Sequence, residues 1–500
     1  MAYEVVVVGA GIGGLTAAAL LAARGLNVCV LERASEAGGC AAQTEASGHR
    51  FESGAGLYAC WQPGEIHERV FAELPVGPPE VTTAAPPYVL RLPDGTDVRV
   101  GGPPEEFDET LRAAFPECAD AAVRFYREIL PVAEALRRMA LRAPDLLTVK
   151  GLRRLKLIAS EPRLAPRILT TANHTAAEHL SGTSTRFRRF LDAQLQLFAH
   201  APTDACAYPF AALALAQPLR GMYTMRGGSG SLVGALLDSI KRSGGTVRLN
   251  TTAVRLAFDS GGRAAGVLLL SGETVEARRA VVSNLTVWDT YGKLLGTGAT
   301  PAPLRARLKT LRGWGAYQLF ASAADDAVSR LPSERVLALT DWQDGQPFDP
   351  ENNLLMLSAA PADDPRAPSG QRAVTVSTYT DAEQWFTFHT DEADHEAADQ
   401  RALEALWSRL HAALPELGSG AEVFETATPR TFYERTRRRL GMVGGLARTP
   451  DLLEGPHALT HRTHVPNLLL VGDTVFPGAG LAPVTHSALV VANEIAPGRA

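Results

Sequence analysis

Residues 5–33 combine an uninterrupted apolar run, a stretch of small apolar residues and a second apolar run. They read VVVVGAGIGGLTAAALLAARGLNVCVLER. Four consecutive valines suit a strand that is covered on both faces, and the alanine- and leucine-rich stretch predicts a buried helix that ends near Arg24 and Gly25. A second buried strand is predicted over Asn27 to Leu31. The order strand, turn, helix, strand predicts a βαβ unit of a parallel sheet.

The turn of this unit carries glycines at the spacing of a dinucleotide fingerprint. Gly9, Gly11 and Gly14 follow the pattern G-x-G-x-x-G, and Gly13 lies among them. Such glycines let the backbone approach a pyrophosphate, while the free N–H groups at the helix start face the anion. Glu32 ends the second strand, where a carboxylate accepts hydrogen bonds from ribose hydroxyls and repels a 2′-phosphate. The unit predicts a dinucleotide site that disfavours NADP.

The residues after Glu32 and Arg33 distinguish a flavin site from a nicotinamide site. A glycine pair, Gly38 and Gly39, is followed by a short strand around Phe51 and by glycines at 54 and 56. This segment resembles the glutathione-reductase-type flavoprotein superfamily, in its amine oxidase and phytoene desaturase branch. The resemblance implies an α/β fold with an FAD-binding Rossmann domain, and it implies FAD as the cofactor.

The last apolar strand of the chain predicts the second half of the FAD site. Residues 467–471 form a buried strand, Gly472 and Asp473 end it, and a helix is predicted from Pro483 to about Ile495. Asp473 can hold a ribityl hydroxyl. The helix start, with Gly480 and Leu481, places positive partial charge at the flavin N1–C2 carbonyl, where negative charge gathers on reduction.

The remaining patterns predict a second domain that is interrupted in sequence. Residues 63–104 are rich in Pro and Gly, residues 105–142 and 383–414 have helical character, and residues 353–357 and 372–379 suggest a sheet. We therefore predict an FAD-binding domain from residues 1–85, 220–292 and 455–500. An α+β substrate domain is predicted from residues 86–219 and 293–454. In such flavoproteins the strand at Val254 brings its backbone to the adenine.

Composition and charge exclude several classes of partner. A net charge of -5 over 500 residues argues against nucleic acid, which needs clustered surplus Lys and Arg. The five cysteines are scattered without a C-x-x-C pair, so neither disulfides nor a zinc site is predicted, and a reducing cytoplasmic location is favoured. The acids around His389 and His395 favour an acidic helix start over a metal site. We predict no metal.

Over essentially its whole length the chain resembles the phytoene desaturase and carotenoid isomerase family. Ser283-Asn284, Trp288-Asp289-Thr290 and Gly292 to Leu295 are similar to a run of the carotenoid isomerases. Three later motifs look more like the bacterial carotenoid 3,4-desaturases: Trp314 to Tyr317; Arg366 to Gly370 with Thr375 to Thr380 and Gln384-Trp385; and Pro477-Gly478 through Ser487 to Leu489. The resemblance implies desaturation of an acyclic carotenoid by hydride transfer to flavin N5, with a quinone or oxygen as electron acceptor. Ala479 and His486 depart from the family pattern beside the flavin.

Other reactions fit the same motifs. A redox-neutral isomerase that uses reduced FAD is the nearest alternative; a retinoid-type saturase and a non-catalytic isoprenoid carrier are further ones. His486, in the last helix, is the candidate to face the flavin and relay a proton; packing alone explains such a histidine as well. Trp314, Tyr317, Trp385 and Phe386 are candidates to line an apolar tunnel, and core packing explains them equally well.

Residues 137–167 combine clustered basic side chains with interleaved leucines. Against nine Arg and Lys the segment holds only Asp145 and Glu161. Such a segment fits a protein that lies on an anionic membrane face without spanning it, and a solvated basic helix explains the charges equally well. With an apolar substrate, the prediction is a cytoplasmic protein peripherally associated with the inner face of the cell membrane.

Overall fold

The chain is described by a computed structural model that covers residues 2–146, 151–340, 342, 345–386, 392–453 and 459–498. Its strands are β1 (Ala2–Val8), β2 (Val28–Leu31), β3 (Thr44–Ala46), β4 (His49–Phe51), β5 (Val81–Ala84), β6 (Tyr88–Arg91), β7 (Asp97–Val100), β8 (Met222–Met225), β9 (Thr246–Arg248), β10 (Ala253–Phe258), β11 (Ala264–Leu269), β12 (Thr274–Ser283), β13 (Gly315–Ala324), β14 (Arg335–Leu339), β15 (Leu354–Ala359), β16 (Gln371–Thr380), β17 (Ala421–Ala427) and β18 (Leu468–Leu470). Its helices are α1 (Ile12–Ala23), α2 (Ile66–Phe71), α3 (Pro104–Ala114), α4 (Ala119–Arg142), α5 (Gly151–Ala159), α6 (Ala165–Thr171), α7 (Thr185–Ala199), α8 (Tyr208–Arg220), α9 (Ser229–Arg242), α10 (Val287–Asp289), α11 (Ala302–Thr310), α12 (Asp325–Ser329), α13 (Pro350–Asn353), α14 (Glu392–Ala413), α15 (Pro429–Thr436) and α16 (Leu481–Ile495).

The first sheet contains the predicted βαβ unit. Its order is β10-β11-β12-β1-β2-β9, with β18 paired to β12, and β1 runs parallel to both β12 and β2. Helices α1, α9 and α16 cover one face, and α1 is buried almost all round because it lies between the sheet and the other two helices. This explains why the valine run and the alanine-rich helix lack a polar face. The α/β class with a Rossmann domain is confirmed.

The second sheet is mainly antiparallel and separates two environments. Its order is β17-β13-β16-β15-β14-β6-β7, and β14 pairs with β6 in parallel. One face packs against α14 through an apolar cluster that includes Leu406 and Leu410. The other face carries Ala316, Gln318 and Tyr379, which line a large cavity. Helices α3, α4, α7 and α8 form a third layer that packs on β6 and β7 and encloses this cavity.

Several predicted boundaries were wrong for local reasons. The helix predicted over residues 105–142 divides at Phe115, because Pro116 disfavours a helical residue before it. The last helix begins at Leu481, so Pro483 is its third residue and not its first. The helix predicted over 383–414 is α14, which begins at Glu392. Of the predicted basic segment, residues 147–150 lie outside the described residues, as do His389 and Asp391.

A buried cluster of charges joins the two sheets. Glu52, directly after β4, pairs with Arg366, which lies in the loop between β15 and β16. Arg366 also pairs with Asp364 at 2.8 Å, and the backbone N–H of Ser229 donates to Glu52 Oε1 at 2.7 Å. All three charged side chains are almost fully buried. The cluster therefore fixes the loop between β15 and β16 of the second sheet against the start of α9, which packs on the first sheet.

Replacing Arg366 by methionine is expected to destabilise the protein strongly. Removal of one partner leaves Glu52 and Asp364 as uncompensated buried charges, which costs about 3–5 kcal/mol of the free energy of unfolding. Urea unfolding monitored by circular dichroism measures the loss. Arg226→Met is the control, since Arg226 faces an exposed Glu80 at 3.9 Å and such pairs contribute only about 0–1 kcal/mol. Equal stability of the two variants would contradict a structural role for the cluster.

Candidate functional site

One cavity connects the glycine fingerprint with the space between the second sheet and helices α4 and α8. Its volume is about 1670 Å³, against roughly 300–1,000 Å³ for a typical small-molecule site. It thus has room for more than one ligand. Except for Gly14, the predicted cofactor-contacting residues all line it: Gly9, Gly11, Gly13, Glu32, Arg33, Gly38, Gly39, Val254, Gly472, Asp473, Gly480 and Leu481.

The glycine loop is shaped by close backbone packing. Gly9 has φ +97°, a conformation that side chains with a Cβ rarely adopt, and a Cβ on Gly14 would lie 2.1 Å from the Gly9 carbonyl oxygen. Gly14 therefore packs directly against the Gly9 backbone and does not line the cavity. The Asn284 side chain lies across the loop, because a Cβ on Gly11 would meet its Nδ2 at 2.6 Å. Asn284 belongs to the run that resembles the carotenoid isomerases, but that resemblance did not indicate a contact with the glycine loop.

Glu32 is fixed in the position that its spacing predicts. The backbone N–H groups of Ala10 and Ala34 donate to its two carboxylate oxygens, each at 2.8 Å. Each oxygen keeps a lone pair for a hydroxyl donor from the cavity. The Arg33 side chain is used for a contact within the protein. Its guanidinium donates to the carbonyls of Glu434 and Arg435, so it joins the end of β2 to helix α15. Val254, on the edge of the sheet, is 41% exposed and lines the same end of the cavity.

Two helix starts point unpaired N–H groups at this cavity. Helix α1 begins after Gly11 and helix α16 after Gly480, and neither has a side-chain cap. The first N–H groups of a helix need an acceptor from elsewhere and carry positive partial charge. A pyrophosphate at α1 and a polar ring carbonyl at α16 provide such acceptors. The arrangement fits FAD, with Glu32 at its ribose, the glycines of α1 at its pyrophosphate and α16 at its flavin.

Asp473 is paired in a way that the sequence did not indicate. Its two carboxylate oxygens accept hydrogen bonds from the Arg438 guanidinium at 3.2 and 2.9 Å. Burial opposes the charge on Arg438, but the nearby Asp473 outweighs it and raises the arginine pKa above its usual value. The pair holds Asp473 in place beside Gly472. Each carboxylate oxygen still has a lone pair for a ribityl hydroxyl.

His486 lines the cavity from the second turn of α16. Its Nε2 lies 2.8 Å from the Pro144 carbonyl oxygen, which only accepts hydrogen bonds, so Nε2 carries the hydrogen and Nδ1 keeps a lone pair. Burial lowers the pKa of this histidine, which is therefore neutral at pH 7. The hydrogen bond ties α16 to the end of α4. That His486 relays a proton stays a prediction.

The apolar part of the cavity follows helix α8. Residues 209, 210, 213, 214 and 216 share one face of this helix and line the cavity with apolar side chains, and the stretch from 209 to 216 corresponds to about 10 Å. Gln217 and Arg220 bring polar groups to the far end of this face, where Arg220 pairs with Glu65. Phe198, Tyr379 and Phe476 complete the wall. The tunnel candidates Trp314, Tyr317, Trp385 and Phe386 are not among the lining residues. Trp385 stacks on Tyr317 at 5.7 Å on the opposite face of the sheet, and Trp314 packs on Tyr379.

Two further buried residues at the polar end were not found from sequence. Arg448 donates to the carbonyls of Pro477 and Ala479 in the turn before α16. His200, which ends α7 with φ +54°, packs against Gly444 and lies 5.7 Å from the Tyr379 ring. Burial lowers the pKa of His200 to about 4, so it is neutral at pH 7. No local pattern marks either residue, because each reaches the cavity only through tertiary packing.

Replacing Gly14 by alanine is expected to abolish cofactor binding. The added Cβ would clash with the Gly9 carbonyl and displace the loop, so we expect FAD content after purification to fall more than about tenfold, equivalent to more than 1.4 kcal/mol. Flavin absorbance per protein measures it. Gly234→Ala in α9 is the control, because no atom lies within 4 Å of its added Cβ. A Gly14→Ala protein with full FAD content would refute the proposed role of the loop.

Comparisons with known proteins agree with this geometry. Residues 7–74 match a family model described as an NAD(P)-binding Rossmann-like domain. The chain is 25% identical to the chloroplastic prolycopene isomerase of Daucus carota, covering 99% of this chain and 80% of the relative. It is 26% identical to the all-trans-retinol 13,14-reductase of Homo sapiens, covering 98% of this chain and 85% of that protein. Among solved structures, the cyclohexylamine oxidase of Brevibacterium oxydans superposes with a TM-score of 0.63 at 18% identity, covering 98% of this chain and 99% of the other.

Proposed function

Because this chain belongs to the phytoene desaturase and carotenoid isomerase family of FAD-dependent oxidoreductases, we propose that it introduces a double bond into an acyclic carotenoid. The observation that carries the proposal is the continuity of the cavity. The space that fits FAD extends into an apolar arm along α8 that a long isoprenoid chain can fill. When bound, FAD supplies the acceptor for the hydride.

The location of the motifs favours desaturation over isomerisation. The run similar to carotenoid isomerases includes Asn284, Asp289 and Lys293, which line the nucleotide end of the cavity, where both reactions need the same cofactor. The motifs similar to the bacterial desaturases include Ala316, Ser377 and Tyr379, which line the wall of the second sheet. Two of the three motifs that resemble desaturases thus include residues on the substrate side, whereas the third, Pro477 to Leu489, lies at the α16 end of the cavity. The isomerase is the second candidate, and the names of several relatives favour it.

The residues of the chain act mainly by excluding water and by orientation. Residues 209–216 of α8 with Phe198, Tyr379 and Phe476 form an apolar wall along which an extended polyene is held in one register. A polyene delocalises the positive charge that develops as hydride leaves, so no strong base is needed. His486 Nδ1, with its lone pair, is the proposed site that takes the proton from the neighbouring carbon.

The decisive measurement is the mass and absorption spectrum of the products. The FAD-loaded protein is incubated in liposomes with a set of acyclic carotenoids, in air and with the flavin reduced. We expect loss of two hydrogens and a red shift of the absorption in air. Unchanged mass with a changed spectrum, only when the flavin is reduced, would establish the isomerase instead, and a gain of two hydrogens would establish a saturase. Binding without any product would indicate a carrier. Gly14→Ala protein serves as the flavin-free control.

A membrane surface is the proposed source of the substrate. Leu152, Leu155 and Leu169 on α5 and α6 are 76%, 63% and 52% exposed, and Leu169 also lines the cavity beside Leu213. Arg153, Arg154 and Lys156 are interleaved with Leu152 and Leu155 in α5. An exposed apolar patch inside a basic rim, at the mouth of an apolar cavity, suits an anionic lipid surface. No helix of the described residues is long and apolar enough to cross a membrane.

Removing the exposed leucines is expected to weaken vesicle binding. The double substitution Leu152→Ser and Leu155→Ser removes apolar groups worth about 0.8 kcal/mol per buried CH₂, so affinity for phosphatidylglycerol vesicles should fall at least about tenfold. Co-sedimentation measures it. Leu270→Ser is the matched control, since Leu270 is 75% exposed in the turn between β11 and β12, away from the cavity. If the double variant binds as tightly as the control, the patch does not contact lipid.

A further inference from the structure

Arg448 is a buried cation without an acidic partner. Its residue is 8% exposed, and its guanidinium is held by the carbonyl oxygens of Pro477 and Ala479. Its Nε has no hydrogen-bond partner. Among the residues that the structure describes, no carboxylate lies within ion-pair distance of it, because the nearby Asp473 is already paired with Arg438. Burial lowers the pKa of Arg448 to about 10, so it still carries its charge at pH 7.

Other buried arginines of this chain are compensated. Arg366 has Glu52 and Asp364, and Arg438 has Asp473. Proteins rarely bury a charge without a partner, since the desolvation cost is several kcal/mol. A buried arginine that is satisfied only by neutral carbonyls therefore indicates that negative charge comes from a group outside the chain.

The location of Arg448 identifies that group. Arg448 lines the cavity together with Asp473, Ala479 and Gly480, and the carbonyls that it holds belong to the turn directly before α16. Its own backbone is fixed at both sides, by a hydrogen bond to Ala199 of 2.9 Å and one from Ala207 of 2.8 Å. Phe210 lies under the guanidinium at 4.9 Å. The charge is thus held at the start of the helix that faces the flavin.

We propose that Arg448 belongs to the flavin site and that its guanidinium stabilises the negative charge that FAD gathers when it is reduced. The fixed cation adds to the positive end of α16 at the same place, and it favours reduced over oxidised FAD. The proposal rests on FAD binding alone. It is independent of which carotenoid reacts, and of whether a carotenoid reacts at all.

The test compares FAD-loaded variants without any substrate. Arg448→Gln keeps donors for the two carbonyls but removes the charge, whereas Arg448→Lys keeps the charge. The reduction potential is measured by equilibration with reference dyes. We expect Arg448→Gln to shift the equilibrium about tenfold against reduced FAD, which corresponds to about 30 mV for a two-electron couple. Arg448→Lys should stay close to the wild-type potential. Arg307→Met should leave the potential unchanged, because Arg307, whose side chain is 12% exposed, pairs with Asp451 and does not line the cavity.

A second measurement keeps the test decisive if FAD binds weakly. The dissociation constants of oxidised and reduced FAD give the same equilibrium through a thermodynamic cycle. Arg448→Gln should weaken reduced FAD about tenfold more than oxidised FAD. Equal weakening of both forms, or an unchanged potential, would overturn the proposal and leave Arg448 as an anchor of the turn before α16. Loss of carotenoid turnover with an unchanged potential would count against it as well.

Discussion

The functional cavity depends on holding two unlike sheets at a fixed separation. The ion pair between Glu52 and Arg366 does this directly after β4, which pairs with β3 in a separate two-stranded sheet. Glu52 also accepts the N–H of Ser229 at the start of α9, so one buried carboxylate contacts both layers. Charges buried in this way contribute little net stability but tolerate few alternative arrangements. The ion pair between Glu52 and Arg366 therefore fixes the position of the glycine loop relative to the face of the second sheet that lines the cavity.

The two ends of the cavity require different properties of the chain, namely hydrogen-bonding groups at one end and apolar surface at the other. At the nucleotide end the chain must offer N–H groups and one carboxylate at set positions, which the turn of β1 and α1 and the end of β2 provide. At the end proposed to hold an isoprenoid it must offer mainly apolar surface of the right length, which residues 209–216 of α8 and the wall of the second sheet provide. The first demand restricts residue types, and the second restricts shape. This difference explains why the sequence predicts the cofactor chemistry but does not predict the identity of the substrate.

The same difference explains which features of the protein its sequence predicts correctly and which it does not. The valine run, the glycine spacing and Glu32 predicted the βαβ unit correctly, because each element is specified by residues close in sequence. The aromatic residues Trp314 and Trp385 were candidates for the tunnel, and they pack elsewhere, since a strand residue can face either side of its sheet. Arg438 and Arg448 were missed because their partners, Asp473 and the turn at Pro477, lie about thirty residues away. Contacts across such distances follow from the fold and leave no local pattern.

The charges around α16 form one electrostatic unit. Asp473 and Arg438 neutralise each other, so the carboxylate can serve a hydroxyl without repelling electron density on a neighbouring ring. Arg448 remains as the surplus charge, and the uncapped start of α16 adds positive potential in the same place. Asp473 already interacts with Arg448, and without Arg438 its unpaired carboxylate would offset more of the positive potential that Arg448 provides. The pairing of Asp473 with Arg438 is thus what leaves Arg448 free to act on the cofactor.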